Sequence, residues 1–588
     1  MSPVPFRSRL PLSRVSSLAL MSVLLCCEAF GNGPPQNETD SLARKVDELF
    51  ALLDKPDSPG CALAIVKDGR ILYKRGYGMA NLEHGVPISA STVMDTASIS
   101  KQFTAMCVLL LAEQGKLTLD DDIRKYLPEM PRYENVITIR HLIHHTSGIR
   151  EYVALMKLAG MRDDDYYTDG ELLDMLARQK NLNFKPGDQF SYSNSGYFLL
   201  GQIVKRASGM TLREYADRNI FKPLGMNNTR FYDDHTELIK NRATGYAKKP
   251  KGFQTSVSTL DMVGDGNLFT TVEDLSLWDQ NFYRNRLGNG GEALVRQALN
   301  TMTLNNGQKN DYAFGLIVGQ YRGLKTVEHS GSFVGYRSHM LRFPDQRFSV
   351  ICECNLASAE PFDLTRRAGD IYLADQFKQE APKEVAPPPA LKFIELPEAE
   401  LKDKARAYIN PANGVILKLY MKDGKLTADG RGVTLQFFPV SPTEFHAVDS
   451  PGDMTLKFEK QGNDKHTRLL IYEGNRPQVF EEAHLVAPTA EQLSVYAGDY
   501  YSPELGVTYK IALEDGKLHL RHENRYKDFS KNVLEPKYSA QGTPVLDAFV
   551  ISGGRDTINI NFIRTEQNRP HAFAMSAGRI RNIVCARK

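Results

Sequence analysis

The feature that most limits the fold of this chain is a repeat inside its C-terminal third. Residues 401–426 (LKDKARAYINPANGVILKLYMKDGKL) align without gaps on residues 493–518 (LSVYAGDYYSPELGVTYKIALEDGKL), 92 residues further on. Eleven of the 26 positions are identical, including Asp-Gly-Lys-Leu at the end of each copy. Unrelated stretches would share about one or two, so the segment is duplicated. Short alternating apolar runs around Asp423-Gly424 and Asp515-Gly516 read as β-hairpins, because Asp-Gly supplies the left-handed residues of a two-residue turn. Two tandem all-β units, read as closed barrels, are therefore predicted at 393–488 and 489–588.

A proline-rich stretch, 381–392, separates this part from a larger unit at 40–380. There the texture differs. Ser41 to Leu53 has the spacing of an amphipathic helix with Leu42, Val46, Leu49 and Phe50 on one face. Cys61 to Val66 and Ile71 to Gly78 read as a hairpin across Lys67-Asp68-Gly69-Arg70. Helical patterns dominate from Ile137 to about Tyr232, including 170–179 and 195–208. Strands return at 313–319, 326–329, 338–343 and 348–353, followed by a helix at 364–378. A helix-rich insertion between two parts of one sheet predicts an α/β arrangement with a cleft between layers.

The first 31 residues have the order of a signal peptide. Arg7, Arg9 and Arg14 precede the apolar run Leu18 to Cys27, and Ala29 and Gly31 offer a small-residue cleavage site. Export to the periplasm or medium is the expectation, with lipoprotein anchoring at Cys26 or Cys27 as the lesser alternative. No later run is long enough to span a bilayer, so no integral membrane segment is expected in the mature chain. The 73 basic and 70 acidic residues are interspersed, for a net charge of +3, which offers no footprint for nucleic acid. Beyond the leader lie Cys61, Cys107, Cys352, Cys354 and Cys585. This odd, scattered set predicts no disulfide framework, and Cys352 and Cys354, two apart in an apolar run, are expected to pack on one face rather than bridge. His141 and His145 have the i, i+4 spacing of a zinc pair, but Leu142 stands where metalloprotease chemistry needs glutamate. No metal and no cofactor are expected.

Chemistry enters at Asp95 to Met106, the start of an apolar helix that stops at Gly115. Ser98 and Lys101 are three apart and share a helix face. A hydroxyl near a helix N-terminus sits where developing negative charge is favoured, and an amine one turn later can take its proton. Tyr192 and Asn194 lie two apart on a loop ahead of another apolar helix, able to aim a phenol and an amide into a cleft. His329, Ser330, Gly331 and Ser332 close a strand-like run at a predicted glycine turn. There a Ser332 N–H could pair with the Ser98 N–H on an oxyanion, Gly331 would admit substrate, and His329 would add a polar or switchable charge.

S-x-x-K, Y-x-N and H-x-G, in that order, make the chain resemble the class C β-lactamase and penicillin-binding-protein-like family of serine hydrolases. Gly76 to Asn81, Ile139 to Ile149 and Gly264 to Leu275 look like the same family, so the likeness covers roughly residues 40 to 375. The resemblance implies a Ser98 acyl-enzyme, proton movement through Lys101 and Tyr192, substrate held by Asn194, and an oxyanion hole of the Ser98 and Ser332 amides. It also implies a serine-β-lactamase-like fold, an antiparallel sheet with flanking helices and a helix-rich subdomain. His329 stands where β-lactamases usually carry lysine, so weak penicillin hydrolysis is expected. Two β domains behind such a unit resemble bacterial D-aminopeptidases, in which a loop from a β domain reaches the active site. The implied substrate is a small molecule or peptide: a D-amino-acid peptide or cell-wall fragment ahead of a simple ester. Esterase-like and weak β-lactamase activities are the alternatives, and a non-catalytic binding protein on the same fold is the reading from another class. Oligomeric state is left open.

Overall fold

The computed structural model describes residues 36–162, 165–377, 392–411, 416–430, 433–447, 454–460, 467–473, 477–522, 532–538, 544–551 and 557–588. The expected signal peptide, and all but the last residue of the expected 381–392 linker, lie outside the described residues.

A first helix, α1 (Gln36–Phe50), begins five residues before the predicted start and leads to the hairpin β1 (Cys61–Lys67) and β2 (Arg70–Tyr77). Asp68 and Gly69 turn it with φ of 51° and 76°, as a two-residue hairpin with right-handed strand twist requires. Four later strands complete the sheet: β3 (Ile317–Tyr321), β4 (Leu324–Phe333), β5 (Tyr336–Phe343) and β6 (Phe348–Cys354). The order is β3-β4-β5-β6-β1-β2, antiparallel throughout. Alternation along β1 sets the layers. Cys61, Leu63 and Ile65 join Val46, Phe50, Leu364 and Ala368, whereas Ala62, Ala64 and Val66 join the helix-rich side. Thus α1 and α2 (Pro361–Tyr372) cover one face, and the helices between β2 and β3 cover the other.

Two sequence expectations are corrected here. Cys61 and Cys354 are opposite one another in the β1–β6 ladder, with Cα atoms 4.0 Å apart, and form a disulfide. Of Cys352 and Cys354, only Cys352 packs as a free thiol, its Sγ 3.7 Å from that of Cys354. Scattered spacing concealed the bridge because strand pairing, over a separation of 293 residues, creates the contact. The strand carrying His329 also does not end in a glycine turn; it runs on through Gly331 to Phe333.

Downstream stand two closed eight-stranded barrels, one from Ala407–Ile409 to Pro477–Glu482 and one from Gly498–Ser502 to Ile580–Arg587. They close through Tyr408 against Glu482 and Tyr500 against Arg587. The duplication is visible in the backbone: Asp423 and Gly424 have φ of 52° and 72°, and Asp515 and Gly516 have 48° and 74°. The second barrel is packed onto the first domain, sharing one apolar core with it. Among the described residues no helix is long and apolar enough to cross a membrane.

Candidate active site

Ser98 sits in a single turn of 3-10 helix, Ala97–Ile99, that runs directly into a buried α-helix, Ser100–Glu113. The turn is held in an uncommon conformation. Ala97 has φ of 49°, a left-handed value costly for a residue with a side chain. Its N–H donates to Asp95 Oδ1 at 2.7 Å, Ser338 Oγ donates to Thr96 O at 2.7 Å, and Ser100 Oγ donates to Ala97 O. β4 lies against this turn. A Cβ on Gly331 would come 2.2 Å from Thr96 O and 3.1 Å from Ala97 Cβ, so only glycine fits there. Pairing with β3 ends at Glu328, which leaves His329 to Phe333 laddered only to β5. Within it Ser330 and Ser332 are exposed, Ser332 opposite Arg337, whereas His329 and Gly331 are buried.

Lys101 is fully buried, and its ammonium has an acceptor for each of its three protons. Nζ lies 3.1 Å from Ser98 Oγ, 2.9 Å from Asn194 Oδ1 and 2.5 Å from the Asp265 carbonyl. Asn194 opens the helix Asn194–Ser208, so the predicted loop-to-helix step delivers its amide to the lysine. The Tyr192 ring is 4.9 Å from Nζ, and its hydroxyl is buried without a hydrogen-bond partner. The predicted Ser98, Lys101, Tyr192 and Asn194 are therefore brought together.

His329 joins from β4, its ring 6.2 Å from that of Tyr192. Its Nδ1 is 2.7 Å from Ser330 O, which can only accept, so Nδ1 carries the proton. Nε2 then accepts from the Tyr312 hydroxyl at 2.9 Å. Burial, and next the Lys101 charge, push His329 down to about 3. The ring is neutral near pH 7, so the partly charged alternative drops out.

Four neighbours went unpredicted. His145, also left-handed at φ 57°, fixes the tyrosine loop from below. Its carbonyl accepts from Ser191 N at 2.9 Å, its Nδ1 accepts from Ser193 N at 3.1 Å, and its ring lies 4.2 Å from that of Tyr192. Burial and Lys101 hold it well below its ordinary value. Tyr312 positions His329. Asp265 receives Lys101 on its carbonyl and Tyr152 on its carboxylate at 2.9 Å, and burial pushes that carboxyl up to about 6. The stretches 139–149 and 264–275, already family-like in sequence, were the available signal for His145 and Asp265. Arg579, from the second barrel, had none. His141, the zinc-spaced partner, instead accepts from Thr138 N in a helix cap. A groove of ≈ 760 Å³ opens beside the site, lined by Asp188, Phe190, Tyr192, Tyr312 and Ile317 among others.

A serine one turn before a buried lysine, faced by tyrosine, asparagine and histidine, is the arrangement of a penicillin-recognising serine hydrolase. Residues 42–374 match the Beta-lactamase family, and the chain belongs to it. It is a serine hydrolase of that family. A penicillin-binding protein of Bacillus subtilis (strain 168) is 30% identical over 451 residues, 73% of this chain and 96% of the relative. A D-aminopeptidase of Gluconobacter oxydans (strain 621H) is 30% identical over 323 residues, 55% of this chain and 60% of that protein. Among solved structures, the octameric penicillin-binding protein homologue from Pyrococcus abyssi superposes with a TM-score of 0.52 at 25% identity, covering 75% of this chain and 99% of that one.

Proposed function

We propose that this hydrolase works through a Ser98 acyl-enzyme on small amides or short peptides whose acyl part is a D-amino acid. The contact of Lys101 Nζ with Ser98 Oγ at 3.1 Å carries the reading. Ser98 Oγ bonds to the substrate carbonyl carbon while its proton passes to the Tyr192 oxygen and the Tyr192 hydroxyl proton moves on to the leaving nitrogen, with Lys101 Nζ held against Ser98 Oγ. The Ser98 and Ser332 N–H groups hold the oxyanion, and Asn194 orients the substrate amide. The C–N bond breaks, the amine leaves with the transferred proton, and water then cleaves the ester by the same route in reverse. Relatives named D-aminopeptidase support the acyl preference. The Cys61–Cys354 disulfide supports an oxidising compartment and thus export, as the N-terminal leader does.

The test is steady-state hydrolysis of paired p-nitroanilides and p-nitrophenyl esters, with D-alanyl, L-alanyl and short acyl groups, by wild type and Ser98→Ala. D-alanyl anilide cleavage that disappears in the variant is expected. Activity surviving Ser98→Ala would sink the acyl-enzyme. Ester cleavage alone would move the assignment to an esterase. A chromogenic cephalosporin should turn over slowly at best, since neutral His329 offers its carboxylate no cation.

A further inference from the structure

The second barrel does more than pack on the catalytic domain: the turn between its last two described strands enters the site. Pro570–Ala577 and Ile580–Arg587 pair at Ala577 and Ile580, which leaves Gly578-Arg579 as a two-residue turn with Gly578 at φ 50°. Arg579 Nη1 donates to the Tyr192 carbonyl at 2.7 Å, and the guanidinium carbon lies 5.6 Å from the centre of the Tyr192 ring. Nη2 forms an ion pair with buried Glu151, 3.9 Å from its Oε2, at a distance too long for a hydrogen bond. Among the described residues Nε and Nη2 make no hydrogen bond, and the side chain is 40% exposed. The turn is anchored on both sides. Asn183 Nδ2 donates to Arg579 O at 2.8 Å, and Arg581 N donates to Asn183 Oδ1 at 2.9 Å.

The charges around the cleft make this residue distinctive. Lys101 has all three protons engaged within the protein, and His329 is neutral. Arg579 thus places a guanidinium beside Tyr192 whose Nε and Nη2 hydrogens are unspent in hydrogen bonds, a geometry matched to a carboxylate, with Glu151 close enough only for a long ion pair. We propose that Arg579 is a specificity-determining residue, and that its Nε/Nη2 edge takes a carboxylate carried by the substrate, on either the leaving group or the acyl side chain. The proposal rests on the Ser98 hydrolase reading above.

Substrate pairs differing in one carboxylate test it on the full chain. D-alanyl-p-nitroanilide against its ring-carboxylated analogue probes the leaving side; D-glutaminyl- against D-glutamyl-p-nitroanilide probes the acyl side. Wild type should favour the acidic member of one pair. The acidic-to-neutral ratio of kcat/KM should fall about tenfold or more in Arg579→Gln, through KM, and return in part in Arg579→Lys. An unchanged ratio, or a wild type that favours the neutral member of both pairs, overturns the proposal. A parallel readout needs no turnover: N-acetyl-D-alanine and N-acetyl-D-alaninamide compete as protectants of Ser98 against a fluorophosphonate probe. Labelling without an Arg579-dependent advantage for the acid overturns the carboxylate proposal and leaves the hydrolase standing. A Ser98 that does not label overturns the hydrolase reading, and the proposal with it.

Discussion

Arg150 and Glu504 meet at 2.6 Å with side chains 0% and 3% exposed, joining the catalytic domain to the second barrel across 354 residues of sequence. The pair is embedded in further bonds. Arg150 also donates to Gln179 Oε1 at 3.0 Å and to the carbonyls of Arg581 and Asn582 at 3.1 Å each, and Glu504 accepts from Lys180 N at 2.8 Å. Such a pair fixes one docking geometry more than it adds net stability.

Removing one member should therefore cost more than removing both. Glu504→Leu leaves the Arg150 charge buried and should destabilise the chain by about 3–5 kcal/mol. Arg150→Met combined with Glu504→Leu should recover a good part of that in urea unfolding. Additive losses would contradict this account.

Tyr192→Phe removes a hydroxyl with no protein partner. Stability should change by less than about 0.5 kcal/mol, while kcat on the best substrate falls by about a hundredfold or more. A large drop in melting temperature with kcat intact would reverse the assignment and make the phenol structural.

The disulfide and the free thiols can be counted. Over residues 36–588, Cys107, Cys352 and Cys585 are free and buried. A thiol reagent should find none in the native chain, three on denaturation, and five after reduction, the three free thiols plus the two of the bridge. Cys61→Ser should lower stability by roughly 2–5 kcal/mol. Five thiols without reductant would show the bridge unformed.

Two buried groups near Lys101 give opposing pH trends. Asp265 is raised by burial from 3.8 to about 6, with Lys101 and Tyr152 opposing, so its contribution to stability is full below pH 3.8 and lost as pH rises through about 6. His329 is depressed from 6.5 to about 3, so its contribution is present above pH 6.5 and lost as pH falls through about 3. Asp265→Asn removes the first trend. The variant's stability relative to wild type should therefore improve as pH rises from about 4 to 6.5, read from urea midpoints. A difference that shrinks or stays flat over that interval would rule out the raised carboxyl.

The parts legible in the sequence were those encoded locally. Ser98 and Lys101 share a face by helical spacing, Tyr192 and Asn194 sit on one loop-to-helix step, and Asp423-Gly424 and Asp515-Gly516 announce hairpins by composition alone. What escaped depends on strands and domains distant in sequence becoming neighbours. Cys61 finds Cys354 through the sheet order, Tyr312 reaches His329 from a separate loop, and Arg579 arrives from another domain. His145 was noticed for the wrong reason. Its spacing from His141 looked like a metal pair, whereas its left-handed backbone turns the ring under Tyr192.

The position of β1 between β2 and β6 also governs when the first domain can come into being. The hairpin of β1 and β2 forms locally, but the other edge of β1 waits for Phe348–Cys354, nearly the whole length of the domain away. Closing so long a loop spends chain entropy before the central contacts return anything, the signature of a slow, non-local folder. Without β6, β1 keeps an unpaired edge until the far half of the domain arrives. Once β6 docks, the Cys61–Cys354 bridge ties the first strand to the last, and reopening that seam requires both unfolding and reduction.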